Sequence, residues 1–329
     1  MTRSFALVSA FLIAVAGSGF AQSSMPPRTL GSITHELAAR PEGLDLQLVA
    51  GLDGVVQAAT MVEIKQTLPE LVELTESSNP QLRGGALLIL DAIAGRQKAG
   101  LPENRREIDA SAVEAIVPYI ARLKPRLMDS EIVSRVLSLN LFGAIAFFRP
   151  SSPELIKAAM EVLQSPQSTQ ATAATRNGSP EGRAPAIGPD ILWVLLHAGA
   201  TFYPDPTTSI AEGRDSPEVQ EAIIAFLDRP DQTSESLSES IRSFALAQAQ
   251  NPAVNAHLLM LLDSSDITVQ EILLRNIARL TLSPEDFASA RARVTLMTTD
   301  PAKPTDIQRI AKSILPCWTN DRHRGVCPP

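Results

Sequence analysis

The sequence predicts an all-α protein of about six antiparallel helix pairs stacked on one another. Three observations carry this. Aromatic residues make up only 4% of a 329-residue chain that is 44% hydrophobic and 20% charged. The core is therefore aliphatic, and the Ala and Leu that fill it lose little rotamer freedom in a helix. Apolar residues recur at helical spacing in segments of helix length. Between those segments lie short turns of Ser, Asp or Asn, often followed by Pro, the residues that start helices.

The chain opens on MTRSFALVSAFLIAVAGSGFAQS. Arg3 precedes an apolar run from Phe5 to Ala16, and Gly19 and Ala21 place small residues around a break, the pattern of a secretory signal peptide (residues 1–21) cut after Ala21. The run is shorter than the ~20 residues of a membrane span, and no Cys follows it to carry a lipid. No later stretch is long and apolar enough to span a bilayer, so the expectation is an exported, secreted or periplasmic protein without an integral membrane span. Cleavage removes Arg3 and no acid, moving the formal charge from −7 to −8. With basic clusters no longer than Arg105-Arg106 and Arg322-His323-Arg324, nucleic acid is excluded as a partner.

Residues 22–32, QSSMPPRTLGS, read as a flexible lead. Residues 33–163 hold the first set of helical repeats, clearest in LPELVELTESSNPQLRGGALLILDAIAG, residues 68–95. Leu68, Leu71, Val72 and Leu74 mark one helix. Ser77-Ser78-Asn79-Pro80 forms the turn, with Asn79 as N-cap and Pro80 at the first helical position. Leu82, Ala86, Ile89, Leu90 and Ile93 mark the second helix. This stretch resembles a HEAT-type repeat, which has an outer helix, a tight Asp/Asn-Pro turn and an inner helix with an Arg shortly after its start, where Arg83 stands. The resemblance is close here and looser over the rest of residues 68–316. It implies a right-handed α-solenoid, HEAT-like or armadillo-like.

The later segments keep the punctuation. AIVPYIARLKPRLMDSEIVSRVLSLNLFGAIAFF, residues 115–148, turns at Asp129-Ser130 with Val133 where the Arg is expected. SSPELIKAAMEVLQS, residues 151–165, opens on Ser152-Pro153. The second set of repeats, residues 190–316, begins in a helix capped by Asp190 and continues through DSPEVQEAIIAFLDRP and SESLSESIRSFALAQAQ. NPAVNAHLLMLLDSSDITVQEILLRNIARL repeats the Ser-Ser-Asp turn, with Gln270 in place of Arg, and the series runs on to Pro316. Between the two sets, residues 164–189 are rich in Ser, Thr, Gln, Gly and Pro with almost no large apolar residue, and are expected to be a mobile, low-complexity loop.

No local catalytic signature appears: neither Gly-x-Ser-x-Gly, Ser-x-x-Lys nor His-Glu-x-x-His, and no phosphate-cradling glycine loop. His35, His197 and His257 stand singly, and no metal or cofactor is implied. Trp193 and His197, one helical turn apart, with Tyr203 beyond, are the best pocket candidates. They would serve the alternative reading, a helical-repeat enzyme such as a cell-wall hydrolase or a lyase resembling the HEAT-like bilin lyases. Trp and His at this spacing more often fill a helix interface, and the acid pairs Glu235/Glu239 and Glu218/Glu221 fit solvated helix faces. The preferred reading is a non-catalytic scaffold binding a protein or peptide on its inner helices. Its candidate residues are Arg83, Arg135, Arg242, Glu271, Arg275 and Arg279, with Arg309 on a comparable helix.

The chain ends in CWTNDRHRGVCPP, residues 317–329. Cys317, His323 and Cys327 match no standard zinc spacing. In an exported protein the two cysteines are expected to pair as a disulfide, closing a C-terminal cap in which Trp318 covers the open end of the repeat core.

Overall fold

The computed structural model describes residues 28–40, 42, 46–98, 108–148, 152–176, 178–197, 217–247, 252–280 and 282–319. The chain divides into two compact units, one of residues up to 144 together with 175–179, the other of the remainder.

The first unit contains α1 (Leu30–Ala39), α2 (Leu46–Ala58), α3 (Met61–Thr75), α4 (Pro80–Ala94), α5 (Ala110–Ile116), α6 (Ile120–Leu123) and most of α7 (Ile132–Phe148). Helices α1, α3 and α5 pack consecutively in one layer, α2 packs on α4 in the other, and α3 packs on α4 between the layers. The apolar stripes read from the sequence face inward: Leu68, Leu71 and Val72 of α3 and Ile89, Leu90 and Ile93 of α4 are buried. Each such side chain contributes roughly 1.5–3 kcal/mol on burial.

The second unit contains α8 (Pro153–Leu163), α9 (Gly188–His197), α10 (Pro217–Leu227), α11 (Ser234–Ala247), α12 (Pro252–Met260), α13 (Ile267–Asn276), α14 (Pro284–Met297) and α15 (Thr305–Ile314). Here α9, α11, α13 and α15 form one continuous layer of second helices, and α8, α10 and α12 follow one another in the layer of first helices. The last pair is closed by Trp318, which is 2% exposed. It packs edge-on against Phe287 of α14, with ring centroids 5.1 Å apart, and its carbonyl accepts from the Arg291 guanidinium.

Among the described residues there are seven helix pairs, one more than expected from the sequence. The additional pair is α1/α2, and α1 begins inside the expected lead. Thr29 and Ser32 form a reciprocal capping box there, the Ser32 N–H donating to Thr29 Oγ1 at 3.1 Å and the Thr29 N–H to Ser32 Oγ at 2.9 Å. In α2, Gly51 and Gly54 each cost about 1 kcal/mol of helix propensity, which hides the helix until it packs on α4. A smaller correction concerns Asp190, which lies in the first turn of α9 and not at its cap. Helix α9 starts instead at Gly188, where a Cβ would collide with the Phe226 ring and the Ser168 carbonyl.

The stretch expected to be a mobile loop has regular structure. A 3₁₀ turn, Pro166–Ser168, is followed by a hairpin of β1 (Thr172–Arg176) and β2 (Ser179–Ala184), so among the described residues the fold is all-α except for this two-stranded sheet. Composition underestimates such a segment because it counts side-chain burial, whereas the order here rests on backbone and buried polar bonds. At the tip, Gly178 adopts φ 76°, a left-handed conformation that glycine takes without steric cost. The carboxylate of Glu131, 2% exposed, accepts from Thr175 Oγ1 at 3.1 Å and the Gly178 N–H at 3.3 Å. At the base, the Arg229 guanidinium donates to the carbonyls of Leu163 and Ser165 at 2.9 and 2.8 Å and to Ser168 Oγ at 2.9 Å. It is held in place by Asp231 at 2.8 Å. Arg229 and the Thr169 hydroxyl together hold the Asp231 carboxyl down to about 2.

One local contact recurs at the turns within pairs. Arg83, the fourth residue of α4, folds back so that its guanidinium donates to the carbonyls of Ser77 and Ser78 at 2.9 and 3.0 Å. It also pairs at 3.0 Å with Asp129 at the next repeat's turn. Gln270, the fourth residue of α13, donates its amide to the carbonyl of Ser264, the residue equivalent to Ser77. Gln308, the fourth residue of α15, donates to the carbonyls of Asp300 and Lys303 at 2.9 and 3.0 Å. In these two later repeats a shorter Gln side chain thus makes the turn-locking bond that the HEAT-type Arg makes in the α3–α4 repeat.

Asp129 keeps a second partner in Arg126 at 3.2 Å, so the larger loss on truncating Arg83 is its bond to the turn carbonyls. Arg83→Ala is expected to cost about 2 kcal/mol in urea unfolding. Arg83→Gln, which can still reach the turn carbonyls, is expected to lose less than half as much, and equal losses would show that the turn bond contributes nothing.

Candidate functional site

The structure separates the candidate binding residues into two groups. Arg83 is taken up by the turn and Asp129, and Arg135 is 4% exposed, so both are interior residues and neither belongs to an exposed stripe. Burial of their charged heads depends on neighbouring repeats, which a single helix's periodicity does not contain. Arg242, Glu271, Arg275 and Arg279 do lie on accessible faces of consecutive second helices or the turn that ends them. Arg242 pairs with Glu239, and Arg275 with Glu271 at 2.8 Å. Arg309 pairs with Asp306 at 3.0 Å.

The expected pocket of Trp193, His197 and Tyr203 is not assembled from the described residues. Trp193 is half-buried in α9, His197 ends that helix with its side chain outside the described residues, and Tyr203 lies wholly outside them. His35 is exposed, and His257 meets Asp228 at 2.9 Å as a surface pair. Cys327 and the leader with its Ala21 cleavage site also lie outside the described residues. Among those residues no group of three or more His, Cys, Asp or Glu could hold a metal, and no helix is long and apolar enough to cross a membrane.

What the sequence did not single out is a groove between α11 and α13. It is lined by Ser234, Glu235, Ser238, Glu239, Arg242, Thr268 and Ile272, with a volume of about 360 Å³. That is at the small end of ligand sites, enough for a side chain and its flanking backbone. Each helix presents one stripe: positions 234, 235, 238, 239 and 242 are one to four residues apart on α11, and positions 268 and 272 lie one turn apart on α13. The N-terminal end of the groove is tied shut by the Ser234 hydroxyl, which donates to Asp266. Asp266 also caps α13, accepting from the N–H groups of Thr268 and Val269 at 2.8 and 3.3 Å. The Ser234 hydroxyl and these amides hold its carboxyl below the usual aspartate range, so it stays ionised and fully engaged. The acid pair Glu235/Glu239 was legible as a solvated face, but its convergence on α13 needed the packing of two repeats.

With this geometry the chain is a helical-repeat protein. No family model matches the sequence and no curated protein matches it. Solved structures similar to it include an engineered protein at 18% identity, covering 86% of this chain and 67% of that one with a TM-score of 0.39. A designed armadillo repeat protein is 14% identical, covering 87% of this chain and 98% of its own, with a TM-score of 0.31. A computationally designed armadillo repeat protein for modular peptide recognition is 13% identical, covering 86% and 97%, with a TM-score of 0.34. Identities and TM-scores this low carry nothing about function, and the repeat assignment rests on the chain's own helix packing.

One further group in the first unit is electrostatically unusual. Burial of Asp91 on α4, with the nearby charge of Asp53 on α2, pushes its carboxyl up to about 7. The folded chain therefore keeps this proton up to about pH 7, while an unfolded aspartate loses it near pH ~4. Its stabilising effect is complete below pH ~4 and lost as pH rises through about 7. Asp91→Asn is expected to stabilise the fold at pH 8 relative to wild type by an amount on the order of a few kcal/mol, seen as a raised melting temperature, and to change it little at pH 4. Thermal melts of the two proteins at both pH values check this, and an equal offset at each would contradict it.

Proposed function

We propose that this protein is an exported, non-catalytic helical-repeat scaffold that binds a protein or peptide along the layer of second helices in its second unit. The observation that carries the reading is the α11–α13 groove, open to solvent and continuous with the Glu271, Arg275 and Arg279 stripe of α13 and its end. Layers of this kind present extended surfaces that recur from repeat to repeat. The Glu239–Arg242 and Glu271–Arg275 pairs are side-chain contacts at a surface, worth only ~0.3–0.5 kcal/mol each, so an incoming chain exchanges them at little cost.

The leader pattern at residues 1–21 supports export, and export supports a Cys317–Cys327 disulfide. A bridge over so short a loop contributes somewhat under ~3 kcal/mol in the chain-entropy account and holds the tail that carries Trp318.

A photo-crosslinking residue at Arg279 is expected to capture a specific envelope partner, and one at Glu285 on the other layer to capture none. The Arg275→Glu, Arg279→Glu double variant is expected to weaken that partner at least about tenfold. Equal capture at both positions, or none at either, would remove the proposed face. Intact mass spectrometry of exported protein is expected to give a chain starting at Gln22 and lighter by the two hydrogens of a disulfide. Two alkylatable thiols in that material would exclude the staple.

A further inference from the structure

Independently of the groove, we infer that α2 is a pH-released flap at the start of the stack, docked on α4 in acid and lifting from it as the medium turns neutral. The observation that carries it lies at the contact between the two helices. Asp91 is largely buried on α4, and its carboxyl has no hydrogen-bond or ion-pair partner among the described residues. Asp53 on α2 supplies the one charge that acts on it, and that charge has the same sign. A carboxylate taken out of water without a cation or a donor is costly, and a second one across the contact adds repulsion.

The other helices packed on α4, which are α1, α3 and α5, bring no compensating charge. On α1, Glu36 is paired with Arg40 at 2.6 Å, and His35 is exposed. On α3, Glu63 accepts from the Leu30 N–H at 2.8 Å, while Lys65, Glu70 and Glu73 are exposed, as is Glu114 on α5. Arg83 of α4 itself is spent on its turn and Asp129, and Arg96, just past α4, pairs with Asp109 at 3.1 Å.

The helix that yields is α2, because α4 is held on four sides and α2 packs mainly on α4 and α1. Its buried anchors among the described side chains are Leu52 and Val56, 3% and 1% exposed, and Gly51 and Gly54 lower its helix propensity. Lifting α2 returns the Asp91 carboxyl to water. The docked helix holds a proton on Asp91 that the lifted one gives up at the ordinary aspartate range. Docking is therefore strongest below pH ~4 and weakens about tenfold per pH unit until the docked carboxyl also ionises, at about 7.

The test is hydrogen exchange of the full-length protein read by mass spectrometry from pH 5 to 8, with exchange times scaled for the intrinsic pH dependence of amide exchange. Protection of the α2 amides is expected to fall about a hundredfold over that range while α3, α4 and α13 hold theirs. Asp91→Asn is expected to flatten the α2 profile. Asp53→Asn, at an exposed position where the fold tolerates it, is expected to make the fall shallower. An α2 whose protection does not change with pH overturns the flap. So does an equal loss across α2, α3 and α4, which would mean that the first unit opens as a whole. A pH dependence that survives Asp91→Asn assigns the trigger to another group and overturns it too. The α11–α13 face is tested separately by the Arg279 crosslink, so either reading can fail without the other.

Discussion

The side chain one turn into the second helix of a pair, folded back onto the carbonyls of the turn before it, is the contact on which the repeat geometry depends. Two helices joined by a few residues can pack at many angles. A donor that reaches the turn carbonyls satisfies acceptors otherwise left open where the chain reverses. It thereby sets the angle at which the second helix leaves. Arg83 does this at the α3–α4 turn and extends the constraint to the next repeat through Asp129. Gln270 and Gln308 do it later in the chain without the charge.

Elsewhere, longer connections are held by other buried polar groups using the same principle. Arg229 gathers two carbonyls and a hydroxyl at the base of the hairpin, and Glu131 gathers a hydroxyl and an amide at its tip. In both places a single charged side chain satisfies several backbone or hydroxyl groups at once, which gives a segment of small polar residues a defined path without a hydrophobic core. Truncating such a group strands all of its partners together, so these positions tolerate change less well than the surface ion pairs of α11 and α13.

The candidate site inherits its form from this arrangement. The starts of α11 and α13 are tied by Ser234 and Asp266, and the two stripes beyond that tie line one groove. Glu235 is exposed with no side-chain partner among the described residues, and Ser238 Oγ is buried without one.

The helices themselves were legible: the 3.6-residue stripes of α3 and α4, the Asn79-Pro80 start and the Ser-Ser-Asp turn before α13 are local signals, and local physics decides them. Exposed charges on α13 were equally readable, since one helix determines which of its own faces are polar. The interior fate of Arg83 and Arg135, the α2 helix with its two glycines, the ordered hairpin and the α11–α13 groove were not. Each depends on an atom far away in sequence: Asp129 for Arg83, α4 for α2, Glu131 for Gly178, and Thr268 and Ile272 for Glu235 and Ser238. By itself the sequence determined which segments are helical and where they turn, because those preferences lie within a few residues. Only tertiary packing decided which polar groups are spent on structure and which stay exposed, because burial and pairing belong to neighbours brought together by the stack.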